Sequence, residues 1–289
     1  MNTHTPNYGQ SVKARLLNLA KQENIRYQQL VTRYFQERLL FRLSLSEYRT
    51  HFVLKGGALL YAYDRFAARP TLDIDFMGDR ISNDLENIKA VFRSICDIPY
   101  ETDGVHFHAD TLTADTITVE KEYPGIRVSL IVTLDSIRQS IYMDIGFGDI
   151  IIPQPEELDY PILLADFPST NIMAYSLETV VAEKFQTMVE RTTFNSRMKD
   201  FFDLYRICST QSLDDILLQE AIRATFENRD THYSENHILF SDKFAQDTEL
   251  NQRWNAFLKK IKYEPTVSFA EVTNRITQWL KPYWEFLKG

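Results

Sequence analysis

Thr71-Leu72-Asp73-Ile74-Asp75-Phe76 is the stretch on which the reading of this chain turns. Polar and apolar residues alternate through it, the period of a β-strand with one buried and one open face. Asp73 and Asp75 then share the open face, with Leu72, Ile74 and Phe76 filling the other. Two carboxylates held side by side repel each other, which costs stability unless a cation lies between them. Hard oxygen donors of this kind suit Mg²⁺, commonly held by one or two carboxylates together with substrate phosphates. Taken alone, D-x-D fits equally well two ordinary acids on a solvated strand edge.

What lies upstream adds weight to the pair. The chain has only nine glycines in 289 residues, well below the usual ~7%. Four of them fall in two clusters, Gly56-Gly57 and Gly146-x-Gly148. Gly56-Gly57 stands just before a short helix expected over 58–63, where free backbone N–H groups and the helix dipole attract phosphate. Glycine lets a phosphate approach the backbone closely, and the preceding Lys55 adds a charge. A tight turn at a helix start would also explain the pair. A phosphate cradle followed by D-x-D is rarer than either part.

Downstream, Asp144 interrupts the apolar strand Ile141-Tyr142-Met143-Asp144-Ile145 and faces away from Ile141, Met143 and Ile145. A carboxylate there is costly unless paired or metal-bound, which makes it the third acid. Asp149 is a weaker candidate, past the strand end. Lys184 on a helix over 177–190, and Arg197, Lys199, Asp200 and Asp203 on one over 196–208, could serve nucleotide phosphates. By themselves they read as surface ion pairs. His106-x-His108 lacks further His or Cys nearby and reads as surface rather than as a metal site.

The rest of the chain supplies the frame. Residues 10–48 carry helical spacing, broken near Glu23-Asn24, and 84–96 is a helix capped by Asn83 or Asp84. Segments 113–120, 127–133 and 140–147 are rich in β-formers. Four prolines between 153 and 168 predict a surface loop. Amphipathic helices follow at 213–226, 249–262 and 268–288. The expected division is 1–160, a catalytic domain with leading helices, and 161–289, a helical domain contributing Lys184 and Asp200.

Composition bounds the class. Apolar residues make up 44% and charged residues 25%, ordinary globular values, and no apolar run is long enough to span a membrane. With only Cys96 and Cys208, a reducing cytoplasm is the expected compartment. The net charge of −8 is uneven. Residues 1–55 hold nine Lys and Arg against three acids, a net of +6, so the remainder carries −14. The basic block, with Arg33, Arg38 and Arg42 at its centre, is a candidate surface for an anionic partner such as RNA, or else a solvated helix face.

Five motifs now stand in order: Leu54-Lys55-Gly56-Gly57; Arg69-Pro70-Thr71-Leu72-Asp73-Ile74-Asp75-Phe76; Asp144-Ile145-Gly146-Phe147-Gly148-Asp149; ETVVAEKF over 178–185; and Arg197-Met198-Lys199-Asp200-Phe201-Phe202-Asp203-Leu204. With them the chain resembles the AbiEii/AbiGii toxin family of nucleotidyltransferase-fold proteins over residues ~10–208. The resemblance implies an α+β fold like that of DNA polymerase β: a mixed sheet flanked by helices, with helical segments at both ends. It implies a toxin of a toxin–antitoxin or abortive-infection system, paired with an antitoxin. Its activity would be Mg²⁺-dependent transfer of a nucleotide from an NTP to an acceptor hydroxyl, with the 3′ end of tRNA as the expected acceptor. Carried over by position, Gly56 and Gly57 hold the triphosphate with Lys55 and Arg69. Asp73, Asp75 and Asp144 bind two Mg²⁺ ions, Lys184 contacts the nucleotide, and Asp200 serves the last motif. Many relatives of the fold have Gly-Ser where this chain has Gly-Gly, so a serine hydroxyl contact to phosphate is replaced by backbone. Two other readings remain: a non-catalytic nucleotide- or partner-binding module, and a metal-dependent glycosyltransferase, which also uses D-x-D but needs a long βαβ run before it.

Overall fold

The computed structural model describes residues 7–120, 123–194 and 197–288. It divides into two compact units, one of residues 1–148 and 156–174, the other of 149–155 and 175–289.

The first unit opens with α1 (Tyr8–Gln22) and α2 (Tyr27–Leu45), so no βαβ run precedes the acidic strand. Asn7 caps α1, its Oδ1 accepting from the backbone N–H of Gln10 at 2.9 Å. There follow β1 (Phe52–Lys55), α3 (Gly56–Asp64), β2 (Asp73–Gly78) and α4 (Leu85–Cys96), the last capped by Asp84. Three long strands come next: β3 (Val105–Glu120), β4 (Tyr123–Leu134) and β5 (Ile137–Phe147). Two short ones, β6 (Glu156–Tyr160) and β7 (Thr170–Ala174), complete a seven-stranded sheet of order β3-β4-β5-β2-β1-β7-β6. The sheet is mixed: β2 runs parallel to β5, β1 parallel to β7, and the other neighbours are antiparallel.

β6 and β7 lie where the prolines predicted a loop. Pro155 and Pro161 bracket β6, outside its hydrogen-bond ladder, so they bound the strand rather than forbid it. The expected boundary at residue 160 would have parted β6 from its partner β7, which joins the sheet through Leu54 opposite Ala174.

One face of the sheet is the core. Ile74, Phe76, Met143, Ile145 and Val128 are buried there. Phe52, Phe76 and Phe92 form an aromatic cluster, the Phe52 and Phe92 ring centroids 5.1 Å apart. Burying each such side chain contributes about 1.5–3 kcal/mol. A one-residue register slip would exchange these rings for Asp73 and Asp75, so the apolar alternation fixes the direction of the acids. Leu72 departs from that alternation: it lies before the strand and is 71% exposed.

The centre of the basic block is not a surface, although Lys21 and Arg26 of the same block are exposed. Every residue of α2 from 30 to 43 is buried, among α1, α4, β5 and β7. The Arg33 guanidinium stacks on Tyr61 at 3.6 Å. Arg38 pairs with Glu37 at 2.6 Å and lies over the Phe41 and Phe167 rings, and Arg42 pairs with Asp103 at 2.8 Å. The three arginines at the centre of the surface expected to meet RNA are spent inside the first unit. Helical spacing cannot distinguish a helix covered on one side from one covered on all sides, and that is why the expectation failed.

The second unit is helical: α5 (Leu177–Arg191), α6 (Met198–Thr210), α7 (Asp215–Asn228), α8 (Asp242–Ala245), α9 (Thr248–Ile261) and α10 (Phe269–Phe286). Ser196, the expected start of α6, lies outside the described residues. Aromatic contacts such as Phe201 with Phe269 (5.1 Å) and Phe185 with Phe226 (5.2 Å) build its core. Among the described residues no helix is long and apolar enough to cross a membrane.

Candidate active site

Strand register assembles the site in the first unit. Lys55 of β1 stands opposite Asp75 of β2, Asp75 opposite Asp144 of β5, Asp144 opposite Arg127 of β4, and Arg127 opposite Asp115 of β3. Directly opposite residues put their side chains on the same face, so one row of charges crosses five strands. Asp73 sits two residues along β2, opposite Tyr142. Asp73, Asp75 and Asp144 each offer an oxygen within 4.8 Å of the others, and all three are half-buried. Among the described residues this is the one cluster of three or more potential metal ligands.

The glycine pair belongs to the same place. Gly56 has φ +67°, the left-handed region that favours glycine. A Cβ there would lie 2.0 Å from Asp75 Oδ2. Glycine is therefore required twice, once for the turn from β1 into α3 and once to admit the Asp75 carboxylate against the helix start. A Cβ on Gly57 would stand 3.1 Å from both an Arg69 guanidinium nitrogen and the Thr71 hydroxyl. The buried Arg69 and the half-buried Thr71 thus border the space that a side chain at position 57 would enter. Thr71 also donates to Asp73 Oδ1 at 2.7 Å.

Arg127 is the functional candidate that sequence reasoning missed. Its Nε and a terminal nitrogen grip both oxygens of Asp144 at 2.7 and 2.6 Å. The hydrogen bond to Asp144 raises its pKa further, so it stays charged. The signal was obscure because a lone Arg in a strand of β-formers declares its partner only once register is known. The pair offsets part of the repulsion within the acidic cluster. It leaves Asp144 lone pairs for a further cation, since an ionised carboxylate has about four acceptor sites. All three acids offer hard oxygen, so the donor set fits a small divalent ion such as Mg²⁺.

Lys184 and Asp200 lie in the second unit, paired with one another. Lys184 Nζ is 2.8 Å from Asp200 and 2.8 Å from Asp203, and Arg197 meets Asp200 at 2.6 Å. Lys184, Asp200 and Asp203 are buried groups, not the surface ion pairs that their residue types alone suggest. Burial by itself would raise the Asp200 pKa, but the charges of Lys184 and Arg197 prevail and hold it well below the usual carboxylate range. Asp149 is engaged by Arg229 at 3.0 Å, within the second unit. His106 and His108 contact each other edge to face at 4.5 Å, and His108 Nε2 is 3.1 Å from the Thr133 hydroxyl.

A mixed sheet with paired acids on an inner strand, a third acid on its parallel neighbour and a glycine helix start against them defines a nucleotidyltransferase-fold protein. Two solved structures share the fold: a Helicobacter pylori protein described as a nucleotidyltransferase, and JHP933 from the same organism. Each has a TM-score of 0.50 at 15% identity and covers 91% of this chain, and 98% and 94% respectively of the H. pylori chains are covered. No functionally curated protein matches the sequence. Residues 38–280 match the family described as nucleotidyl transferase AbiEii toxin, type IV toxin–antitoxin system, and the chain belongs to that family. It is a nucleotidyltransferase.

Proposed function

We propose that the chain transfers a nucleotide from an NTP to the 3′ hydroxyl of an RNA acceptor of the tRNA class, acting as the toxin of a cytoplasmic toxin–antitoxin pair. The observation that carries the reading is the convergence of Asp73, Asp75 and Asp144 within 4.8 Å, against the glycine start of α3. Backbone N–H groups at Gly56 and Gly57 receive the triphosphate at the positive end of the helix. Lys55 and Arg69 add charge there. Asp73, Asp75 and Asp144 hold two Mg²⁺ ions, which when bound stabilise charge on the attacking and leaving oxygens. Thr71 fixes the rotamer of Asp73, and Arg127 fixes that of Asp144. Within the second unit, Asp200 and Asp203 hold the Lys184 ammonium group in place. A cognate antitoxin is the protein partner.

The test is incubation with α-labelled NTPs, Mg²⁺ and bulk tRNA. Label moves to RNA with the wild type and not with Asp75→Asn. Absence of transfer with every NTP would overturn the activity, and unchanged transfer by Asp75→Asn would overturn the site.

A further inference from the structure

The row of charges is the first of four rows on the open face of the sheet. Next to it stand Tyr142, Ser129 and Thr113, then Ser140, Ile131 and His108, then Arg138, Thr133 and His106, each set aligned by register across β5, β4 and β3. The alternate residues of β4 and β5, Val128, Leu130, Ile141 and Met143, are buried on the core face. The open face is half-polar and carries one exposed aromatic ring, Tyr142, at 38% exposure. That ring is the register partner of Asp73 and lies two residues from Asp144. The Arg127 guanidinium is 5.8 Å from its centroid. From Asp144 to Arg138 the strand advances six residues, about 20 Å.

We propose that this face of β5 and β4 seats the last nucleotides of a single-stranded RNA acceptor, with Tyr142 stacking the terminal base beside the carboxylates. The proposal rests on the acceptor reading above and says where that acceptor lies. The arginines of α2 are buried against partners and cannot hold it. Along the β5 and β4 columns the charged side chains beyond Asp144 are Arg127 and Arg138, both cationic and both exposed. Arg138 is close enough to His108 that its charge, after burial and His106, helps lower the imidazole pKa, so the far end of the track carries one cation, Arg138, beside two imidazoles. Between the two ends stand the hydroxyls of Ser129, Ser140 and Thr133, donors and acceptors suited to ribose and base edges. An aromatic platform, short hydroxyls and a cation at each end make up the usual surface for unpaired nucleotides. Asp115 is the acid on this face at the outer strand β3, off the track and opposite Arg127.

The experiment uses the full chain and a 5′-fluorescein oligoribonucleotide with a free 3′ hydroxyl, read by anisotropy with Mg²⁺ and a non-transferable NTP analogue. Tyr142→Ala weakens RNA binding about tenfold, the loss expected for one stacked base, and Tyr142→Phe restores it. Arg138→Ala reduces the salt dependence of binding by about 0.7 of a log unit per log unit, one single-strand phosphate contact. Binding of the NTP analogue, measured separately, stays at the wild-type value in both. Wild-type RNA affinity in Tyr142→Ala and Arg138→Ala, with label transfer intact, would reject this face and leave the transferase reading standing. Parallel loss of NTP binding in Tyr142→Ala would assign the ring to the nucleotide and overturn the proposal. Equal affinity for DNA of the same sequence would overturn the choice of RNA. A wild-type chain that neither binds RNA nor labels it would overturn both readings.

Discussion

Two sets of charges in the first unit make an instructive contrast. Those of α2 are buried against partners: Arg42 with Asp103, Arg38 with Glu37 through one nitrogen while its Nε and Nη1 have no hydrogen-bond partner, Arg33 on the face of Tyr61. Those of the sheet row are half-exposed, three carboxylates converging with Arg127 gripping one of them. A buried matched pair leaves nothing for a ligand, and its removal is felt as stability. A cluster of like charges at an accessible edge is a standing cost in the free protein, and it is repaid when a cation or phosphate-bound ion arrives. The contrast shows that partner sign and access, not residue type, separate scaffold from site.

The largest expected effect tests the row. Asp73→Asn and Asp75→Asn abolish label transfer, and in Asp73→Asn the thermal midpoint holds or rises, because repulsion is removed. A fall of several degrees would show that the acids are structural. Next come the buried charges. Arg42→Ala strands Asp103 and costs about 3–5 kcal/mol, read as a lower urea midpoint. RNA and NTP binding are lost together only as the fold is lost. A folded Arg42→Ala protein that binds NTP and fails with RNA would restore the basic helix as an acceptor surface. Gly56→Ala forces a side chain into the left-handed region, at about 1–2 kcal/mol, and displaces the Asp75 carboxylate. Transfer and Mn²⁺ binding, read by titration calorimetry, fall together.

Two smaller effects sharpen the comparison. Burial raises the Glu37 pKa from the ordinary carboxylate range to about 7, against the opposing pull of Arg38. A folded-state pKa above the unfolded value gives a contribution that is complete below the unfolded pKa and lost as pH rises through the folded one. Stability attributable to Glu37 therefore declines between about pH 5 and pH 8, and Glu37→Gln flattens the urea midpoint across that range. Asp200 carries the opposite sign: its lowered pKa gives stability that is lost only in acid. Finally, Arg127→Ala removes a cation bonded to Asp144 and tightens Mn²⁺ binding several-fold at low salt, while transfer falls because Asp144 loses its orientation. Weaker Mn²⁺ binding would mean that Arg127 shapes the site more than its charge opposes the metal.

The local steps were legible in the sequence because short-range rules govern them. The alternation at 71–76 placed Asp73 and Asp75 on one face, and the apolar run around Asp144 marked that acid as the exception. Gly56-Gly57 read as a helix start. The parallel register of β2 on β5, the burial of α2, the strands β6 and β7 and the grip of Arg127 on Asp144 were not legible. Each depends on which distant segment lies alongside, and a five-residue strand between prolines carries little periodic signal.

By itself, then, the sequence determined which residues are acids on a strand and which glycines open a helix, because side-chain period and backbone freedom are local properties. Tertiary structure alone decided that Asp75 faces Asp144 in parallel register, that the arginines of α2 are interior, and that the open face beside the acids carries Tyr142. Strand pairing and burial are set by the free energy of the whole core, and that free energy brings together residues 69 positions apart, as with Asp75 and Asp144.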